Sequence, residues 1–107
     1  MNGYPAHAYG VGGTVVTIRQ SPGCMAGGYV SNQGGLDAFV VFFDKPAAEV
    51  VLGTTPPYWV TEVYALSQGV ITRAGEGLNF DRAISVASVN TPLGTTPRTC
   101  DVHLIIQ

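Results

Sequence analysis

Charged residues are scarce in this 107-residue chain. Only 11% of the residues are Asp, Glu, Lys or Arg, and the formal net charge is −2. Because the surface of a folded domain usually holds about a quarter to a third charged residues, we expect another protein to cover part of this one. The five basic residues are scattered and form no stripe, which argues against nucleic-acid binding by phosphate neutralisation.

Cysteines and long apolar runs are also few. Cys24 and Cys100 are the only cysteines, too few for a disulfide-dense scaffold or a zinc site. Two buried free thiols are the simpler interpretation, and one disulfide between them is the alternative. No apolar run approaches the roughly 20 residues that span a bilayer, and residues 1–13 lack the features of a signal peptide. We therefore expect a protein that is made in the cytoplasm, is used without secretion through a membrane and contacts no membrane.

The groups that support catalysis or metal binding are sparse. His7 and His103 are the only histidines, and neither lies in a triad-like sequence context. His103 is expected to point outward beside Asp101 in a surface cross-strand pair. No two histidines or cysteines are closely spaced, and no pair of carboxylates is diagnostic of glycoside hydrolysis. The sequence thus predicts no enzyme activity, no cofactor and no metal.

Glycine is concentrated at one end of the chain. Nine of the fourteen glycines precede Leu36, where Arg19 is the single charged residue. Disordered segments are usually highly charged and poor in aromatics, whereas this one is nearly uncharged and contains tyrosines. Residues 1–36 are therefore predicted to form an ordered Gly-rich arm, with one strand over residues 14–20. The arm would pack on the domain or on a neighbouring subunit, and residues 37–107 would form the domain.

Period-two alternation of apolar residues dominates the sequence after Leu36 and is typical of β-strands. It predicts strands over residues 38–44, 58–66, 69–73, 80–89 and 98–107. Segment 38–44 is apolar enough to be a central strand with both faces covered, and only residues 46–52 could form a short helical turn. Turn signals about every ten residues indicate an all-β fold, an antiparallel β-sandwich or a barrel. In the last strand, the residues predicted to point inward are Cys100, Val102, Leu104 and Ile106.

Two local features add to this prediction. The pentapeptide LGTTP occurs at residues 52–56 and 93–97 with unrelated flanks, which predicts two similar loops at one end of the sandwich. Asp44 and Asp81 lie at strand ends, where capping and turn hydrogen bonds are the expected role.

Aromatic and apolar residues in the arm and near the loops are the candidates for partner contact. Tyr58, Trp59 and Tyr64 could instead stack on a sugar, although a core or interface position is the favoured interpretation for a tryptophan. The candidate interface residues are Tyr4, Tyr9, Val15, Tyr29, Tyr58, Trp59 and Tyr64.

Several motifs are shared with a known class of proteins. They are FVVFFD at residues 39–44, GTTP at 53–56, Asn79-Phe80 and AISVAS at 83–88, followed by a closing strand. Through them, residues 38–107 resemble the small β-sandwich decoration or cement proteins of tailed bacteriophages. The resemblance implies a jelly-roll-like domain, commonly trimeric, which sits on the capsid lattice without enzyme activity or cofactor. The Gly-rich arm has no counterpart in that pattern.

Three functions follow as hypotheses. The first is a structural virion protein on the capsid surface, a decoration or cement subunit that binds the major capsid protein or another virion protein. The second is a carbohydrate-binding or receptor-binding module of a phage tail fibre or spike. The third is another structural protein of the neck or tail.

Overall fold

The computed structural model describes residues 4–70 and 77–107, and within these ranges the chain is all-β. In the same ranges, no helix is long and apolar enough to cross a membrane. A short 3-10 turn, Ala47–Glu49, lies inside the predicted helical segment. The strands are β1 (Tyr4–Val11), β2 (Val16–Arg19), β3 (Gly23–Asn32), β4 (Ala38–Phe43), β5 (Trp59–Val63), β6 (Ser67–Val70), β7 (Leu78–Phe80), β8 (Ile84–Val89) and β9 (Cys100–Ile106).

The strands form two antiparallel sheets that pack face to face. Sheet A has the order β1-β9-β3-β6, with β7 also paired to β3, and sheet B has the order β2-β8-β4-β5. Since β9 pairs with one edge of β3, β6 and β7 both lie along the other edge, β7 beside the beginning of β3 and β6 beside its end. The chain thus passes repeatedly between the two sheets in the order of a jelly roll. The predicted antiparallel, jelly-roll-like β-sandwich is confirmed.

The main core lies between the two sheets and follows the predicted alternation. Val40 and Phe42 of β4 point into it and are fully buried. The inward set of the last strand is confirmed, because all four of its residues are buried in this core. The predicted strand 69–73 corresponds to β6, and its residues 71–73 lie outside the described residues.

A second apolar cluster lies on the outer face of sheet B. In β4, Val41 and Phe43 alternate with the core residues and so point to the opposite face. The segment after β4 folds back over them, and its Val50 and Leu52 pack on this cluster. Strand β4 also lies between β5 and β8, so the prediction of a central strand covered on both faces is confirmed.

The N-terminal residues are built into both sheets. The predicted strand over residues 14–20 contains β2, while β1 and β3 belong to sheet A. Strand β3 buries Met25 and Val30 in the main core. A side chain on Gly28 would meet the carbonyl oxygen of His103, so here glycine permits the close approach of β9. The predicted boundary at Leu36 therefore does not divide the fold.

The predicted strand over residues 80–89 is two strands in different sheets. Phe80 ends β7 in sheet A, and Ile84 begins β8 in sheet B. Between them, the carboxylate of Asp44 accepts hydrogen bonds from the backbone N–H groups of Asp81 at 3.1 Å and Arg82 at 2.9 Å. Since Phe80 and Ile84 both point into the main core, the alternation continues across the break and conceals it.

The two LGTTP loops lie side by side, as predicted. A Cβ on Gly53 would lie 3.0 Å from Cγ2 of Thr95, so the first loop contacts the second. Gly53 also has a φ of +85°, a conformation that favours glycine.

Candidate interaction face

The outer face of sheet A carries a row of rings from three adjacent strands. His7 of β1 is paired with His103 of β9, which is paired in turn with Tyr29 of β3. Residues paired across strands share a face, and all three alternate with residues that point into the core. Tyr9 lies two positions after His7 and so projects to the same side.

These four rings contact one another. The rings of Tyr29 and His103 are stacked, with centroids 4.5 Å apart and planes at 22°. The rings of His7 and His103 meet edge to face at 4.9 Å. Tyr9 packs at 5.4 Å from His103 and 5.9 Å from His7. We call this cluster of His7, Tyr9, Tyr29 and His103 the aromatic face.

A hydrogen bond joins the two histidines. Their Nδ1 atoms are 2.8 Å apart, so one imidazole donates to the other and a single proton lies between them. Next to this pair, the carboxylate of Asp101 accepts the backbone N–H of Gly10 at 2.8 Å. This bond fixes the irregular end of β1, where the register with β9 shifts. The face is thus held by side chains as well as by the sheet ladder.

Large apolar side chains of this face remain exposed. The exposed fraction is 70% for Tyr9 and 42% for Tyr29, and the neighbouring outward residue Ile105 is 44% exposed. Antiparallel sheets commonly turn a polar face to water. A face of grouped rings is instead typical of a surface that contacts another molecule.

The other arm candidates have roles inside the fold. Tyr4 accepts a hydrogen bond from the guanidinium of Arg19, which also lies over its ring at 5.8 Å. This contact joins β1 of sheet A to β2 of sheet B. Val15 packs on the second apolar cluster. Of the arm candidates, the structure brings together only Tyr9 and Tyr29.

The remaining candidates do not belong to the aromatic face. The hydroxyl of Tyr58 donates to the carbonyl of Asn79 at 2.7 Å, and its ring packs on Phe80 at 5.0 Å. Trp59 packs against the main core, in agreement with the favoured interpretation of that tryptophan. Tyr64 follows β5 directly and is 63% exposed.

Sequence reasoning missed the pairing of His7 with His103. The outward orientation of His103 and its place in a surface cross-strand pair are confirmed, but its partner is 96 residues away. No spacing rule connects residues so distant. A usable signal was the alternation of Pro5, His7 and Tyr9, which marks a shared outward side of β1.

The described residues hold no larger cluster of reactive groups. No three or more His, Cys, Asp or Glu side chains lie together among them. Cys24 and Cys100 are free thiols, so the disulfide alternative is wrong, but only Cys100 is buried and Cys24 is half-buried. Burial raises the pKa of the Cys100 thiol, against the opposing effect of the hydrogen bond from Ser88.

A broad surface cleft lies at the end of sheet A. It encloses about 440 Å³ between residues 32–36 and 97–99. The charged residue that lines this cleft is Arg98. The guanidinium of Arg98 already donates hydrogen bonds to the carbonyl oxygens of Asp37 and Pro97. The aromatic face is therefore the stronger candidate for a functional surface. No family model, curated protein or solved structure matches this chain.

Proposed function

We propose that this protein is a capsid decoration or cement protein, a structural virion subunit that binds the assembled capsid lattice through its aromatic face. One observation carries the proposal: exposed rings are grouped on the outer face of sheet A, whereas the chain covers the outer face of sheet B itself. Aromatic residues with few charges are the composition of interface cores.

The fold and the composition are compatible with a capsid protein, and the fold is also compatible with a lectin. Jelly rolls serve as viral capsid domains and also as lectins, so the fold alone leaves both open. The charged fraction of 11% favours a protein whose surface is covered in an assembly. The motifs shared with phage decoration proteins favour the capsid surface, the major capsid protein as partner and a homotrimer.

In this role, Tyr9 and Tyr29 act as anchors. Tyrosine supplies a large contact area with few rotatable bonds, and it retains a hydroxyl for the partner. His103 connects the two anchors, because its ring contacts the rings of both Tyr9 and Tyr29. A subunit that binds only the assembled lattice stabilises that lattice by mass action, to a degree set by affinity and occupancy.

The test compares particles incubated with the wild-type protein, with the double variant Tyr9→Ser/Tyr29→Ser, and with Tyr64→Ser. Tyr64 is the matched control, since it is 63% exposed and lies outside the aromatic face. The double variant should occupy far fewer lattice sites, while Tyr64→Ser should bind like the wild type. Unchanged occupancy of the double variant would contradict docking through this face. Equal heat survival of bare and decorated particles would contradict cementing.

A second candidate is a carbohydrate-binding or receptor-binding module of a tail fibre or spike. The stacked rings of Tyr29 and His103 favour it, because flat rings can also stack on the apolar side of a pyranose. Glycan-array binding that is lost in Tyr29→Ala would support this candidate. Lattice binding without any glycan binding would favour the capsid role. A neck or tail protein would share the fold but have few copies per particle, so copy number separates it from a lattice subunit.

A further inference from the structure

The histidine pair on the outer face of sheet A has the geometry of a chelating site. His7 and His103 are the only imidazoles of the chain, and the fold brings their Nδ1 atoms to 2.8 Å of each other. His7 is exposed and His103 is half-buried. The two nitrogens are therefore close together and open to ions from solvent.

The type of ligand orders the metals that this pair would bind. Two imidazole nitrogens on one ion at metal–nitrogen distances of about 2.0–2.1 Å lie about 2.9–3.3 Å apart, depending on their angle at the metal. The observed 2.8 Å is the length of the hydrogen bond between the rings, so a small adjustment would let one ion reach both nitrogens. Imidazole suits Cu²⁺, Ni²⁺ and Zn²⁺, of which Cu²⁺ binds most tightly to a given site, and structural Zn²⁺ sites usually need four protein ligands.

We propose that His7 and His103 form a two-imidazole site that binds Cu²⁺ or Ni²⁺ through both Nδ1 atoms. Two metal–nitrogen bonds form and the hydrogen bond between the rings breaks. The proton on the donating Nδ1 moves to Nε2 of the same ring, so two neutral imidazoles bind the ion without net proton release. Each ring must turn so that its lone pair meets the ion, and the terminal torsion of histidine is broad enough for this.

The surroundings of the pair favour binding and limit its strength. Adjacent paired strands fix the two Cα positions, which favours binding, whereas the stack with Tyr29 opposes the turn of the His103 ring. Asp101, the nearest outward carboxylate on β9, already accepts the N–H of Gly10. No cluster of three or more ligating side chains is present in residues 4–70 and 77–107. The remaining coordination positions are therefore filled by water or by groups of a docked partner.

Calorimetric titration with CuCl₂, NiCl₂ and ZnCl₂ tests the site in the full chain. The buffer contains no chelator, the double variant His7→Gln/His103→Gln measures any binding at the N-terminal amine, and a Cys24→Ser background removes the more accessible thiol. The variants are His7→Gln and His103→Gln, and Tyr29→Phe is the control because it keeps both imidazoles. We expect one ion per chain, with Cu²⁺ bound more tightly than Ni²⁺ or Zn²⁺. Each glutamine variant should lower the affinity at least about tenfold, since it removes one of two protein ligands.

Chemical modification provides a readout without mutation. Diethylpyrocarbonate should acylate both histidines in the free protein, and Cu²⁺ or Ni²⁺ should protect both. Binding that is equal in wild type and both glutamine variants would overturn the proposal, as would the absence of binding at millimolar ion. Tighter binding of Zn²⁺ than of both Cu²⁺ and Ni²⁺ would overturn the assignment to Cu²⁺ or Ni²⁺. None of these results depends on docking to a capsid, so this inference and the proposed function can fail separately.

Discussion

The two sheets differ most on their outer faces. In sheet B, the outward residues of β4 are Val41 and Phe43, and the chain covers them with Val50 and Leu52. In sheet A, the outward rings such as Tyr9 and Tyr29 remain exposed. Both sheets show the same alternation, so alternation alone does not distinguish a covered face from an exposed one. The identity of the outward residues and a returning segment of chain make the difference.

We expect the largest loss of stability when a side chain of the covered outer face of sheet B is truncated. Phe43→Ala should lower the free energy of unfolding by about 3–5 kcal/mol, as should Phe42→Ala in the main core. Both side chains are essentially fully buried, although they point to opposite faces of β4. Urea denaturation with a shared m-value measures both changes. A small loss of stability for Phe43→Ala alone would show that the outer cluster of sheet B is packed more loosely than the main core. The outer face of sheet B would then not be a covered face.

A smaller loss of stability is expected from a substitution that tests whether β3 is tightly paired within sheet A. Gly28→Ala should destabilise the protein by about 1–3 kcal/mol, because the added Cβ meets the carbonyl oxygen of His103 in the neighbouring strand. Gly35→Ala is the matched control, since nothing lies within 4 Å of the added Cβ. Thermal unfolding of both variants gives the comparison. Equal, small effects would mean that β3 is not tightly paired with β9.

Much of the fold follows from local sequence. Residues 38–44 predicted β4 because dense β-branched and aromatic residues suit a strand covered on both sides. Strand β3 was not predicted, because glycine is depleted in strands, although at Gly28 it permits the close approach of β9. The division of residues 80–89 was also hidden, because one carboxylate, that of Asp44, makes the corner.

The candidate site was harder to predict than the fold. Its chemistry depends on β1 pairing with β9, which joins His7 to a residue 96 positions later. Period-two alternation fixes which way each histidine points, but not which strand lies beside it. Only the strand order brings the four rings of the aromatic face together.

A still smaller loss of stability is expected at the corner where the chain passes from β7 in sheet A to β8 in sheet B. Asp44→Ala should cost about 1–2 kcal/mol, because the N–H groups of Asp81 and Arg82 lose a charged acceptor but retain access to water. Asp44→Asn should recover part of this loss, since its amide oxygen still accepts. Chemical denaturation of the three proteins measures the series. If Asp44→Ala were as stable as the wild type, the corner would not depend on this carboxylate.

We expect the smallest loss of stability from the ion pair between Glu49, in the segment that covers sheet B, and Arg82, at the corner between β7 and β8. Arg82 donates to Glu49 at 2.6 Å, and this hydrogen bond lowers the pKa of the Glu49 carboxyl below its ordinary value of 4.5. The folded-state pKa is therefore below the unfolded one. Any stability from the pair is present above the unfolded pKa and is lost as the pH falls through the folded pKa.

Comparison of Glu49→Gln with the wild type measures this contribution. The variant should be slightly less stable at neutral pH, and the difference should vanish in acid and shrink in high salt. A difference that grew as the pH fell would contradict this sign.

The central claim is that the aromatic face of sheet A is the docking surface of an assembled subunit. Hydroxyl-radical footprinting of the free and the particle-bound protein tests it most directly. We expect oxidation of Tyr9 and Tyr29 to fall sharply on assembly, while Tyr64, which is 63% exposed in the free protein, stays oxidised. Unchanged oxidation of Tyr9 and Tyr29 in the particle, with protection of Tyr64 instead, would contradict docking through the aromatic face.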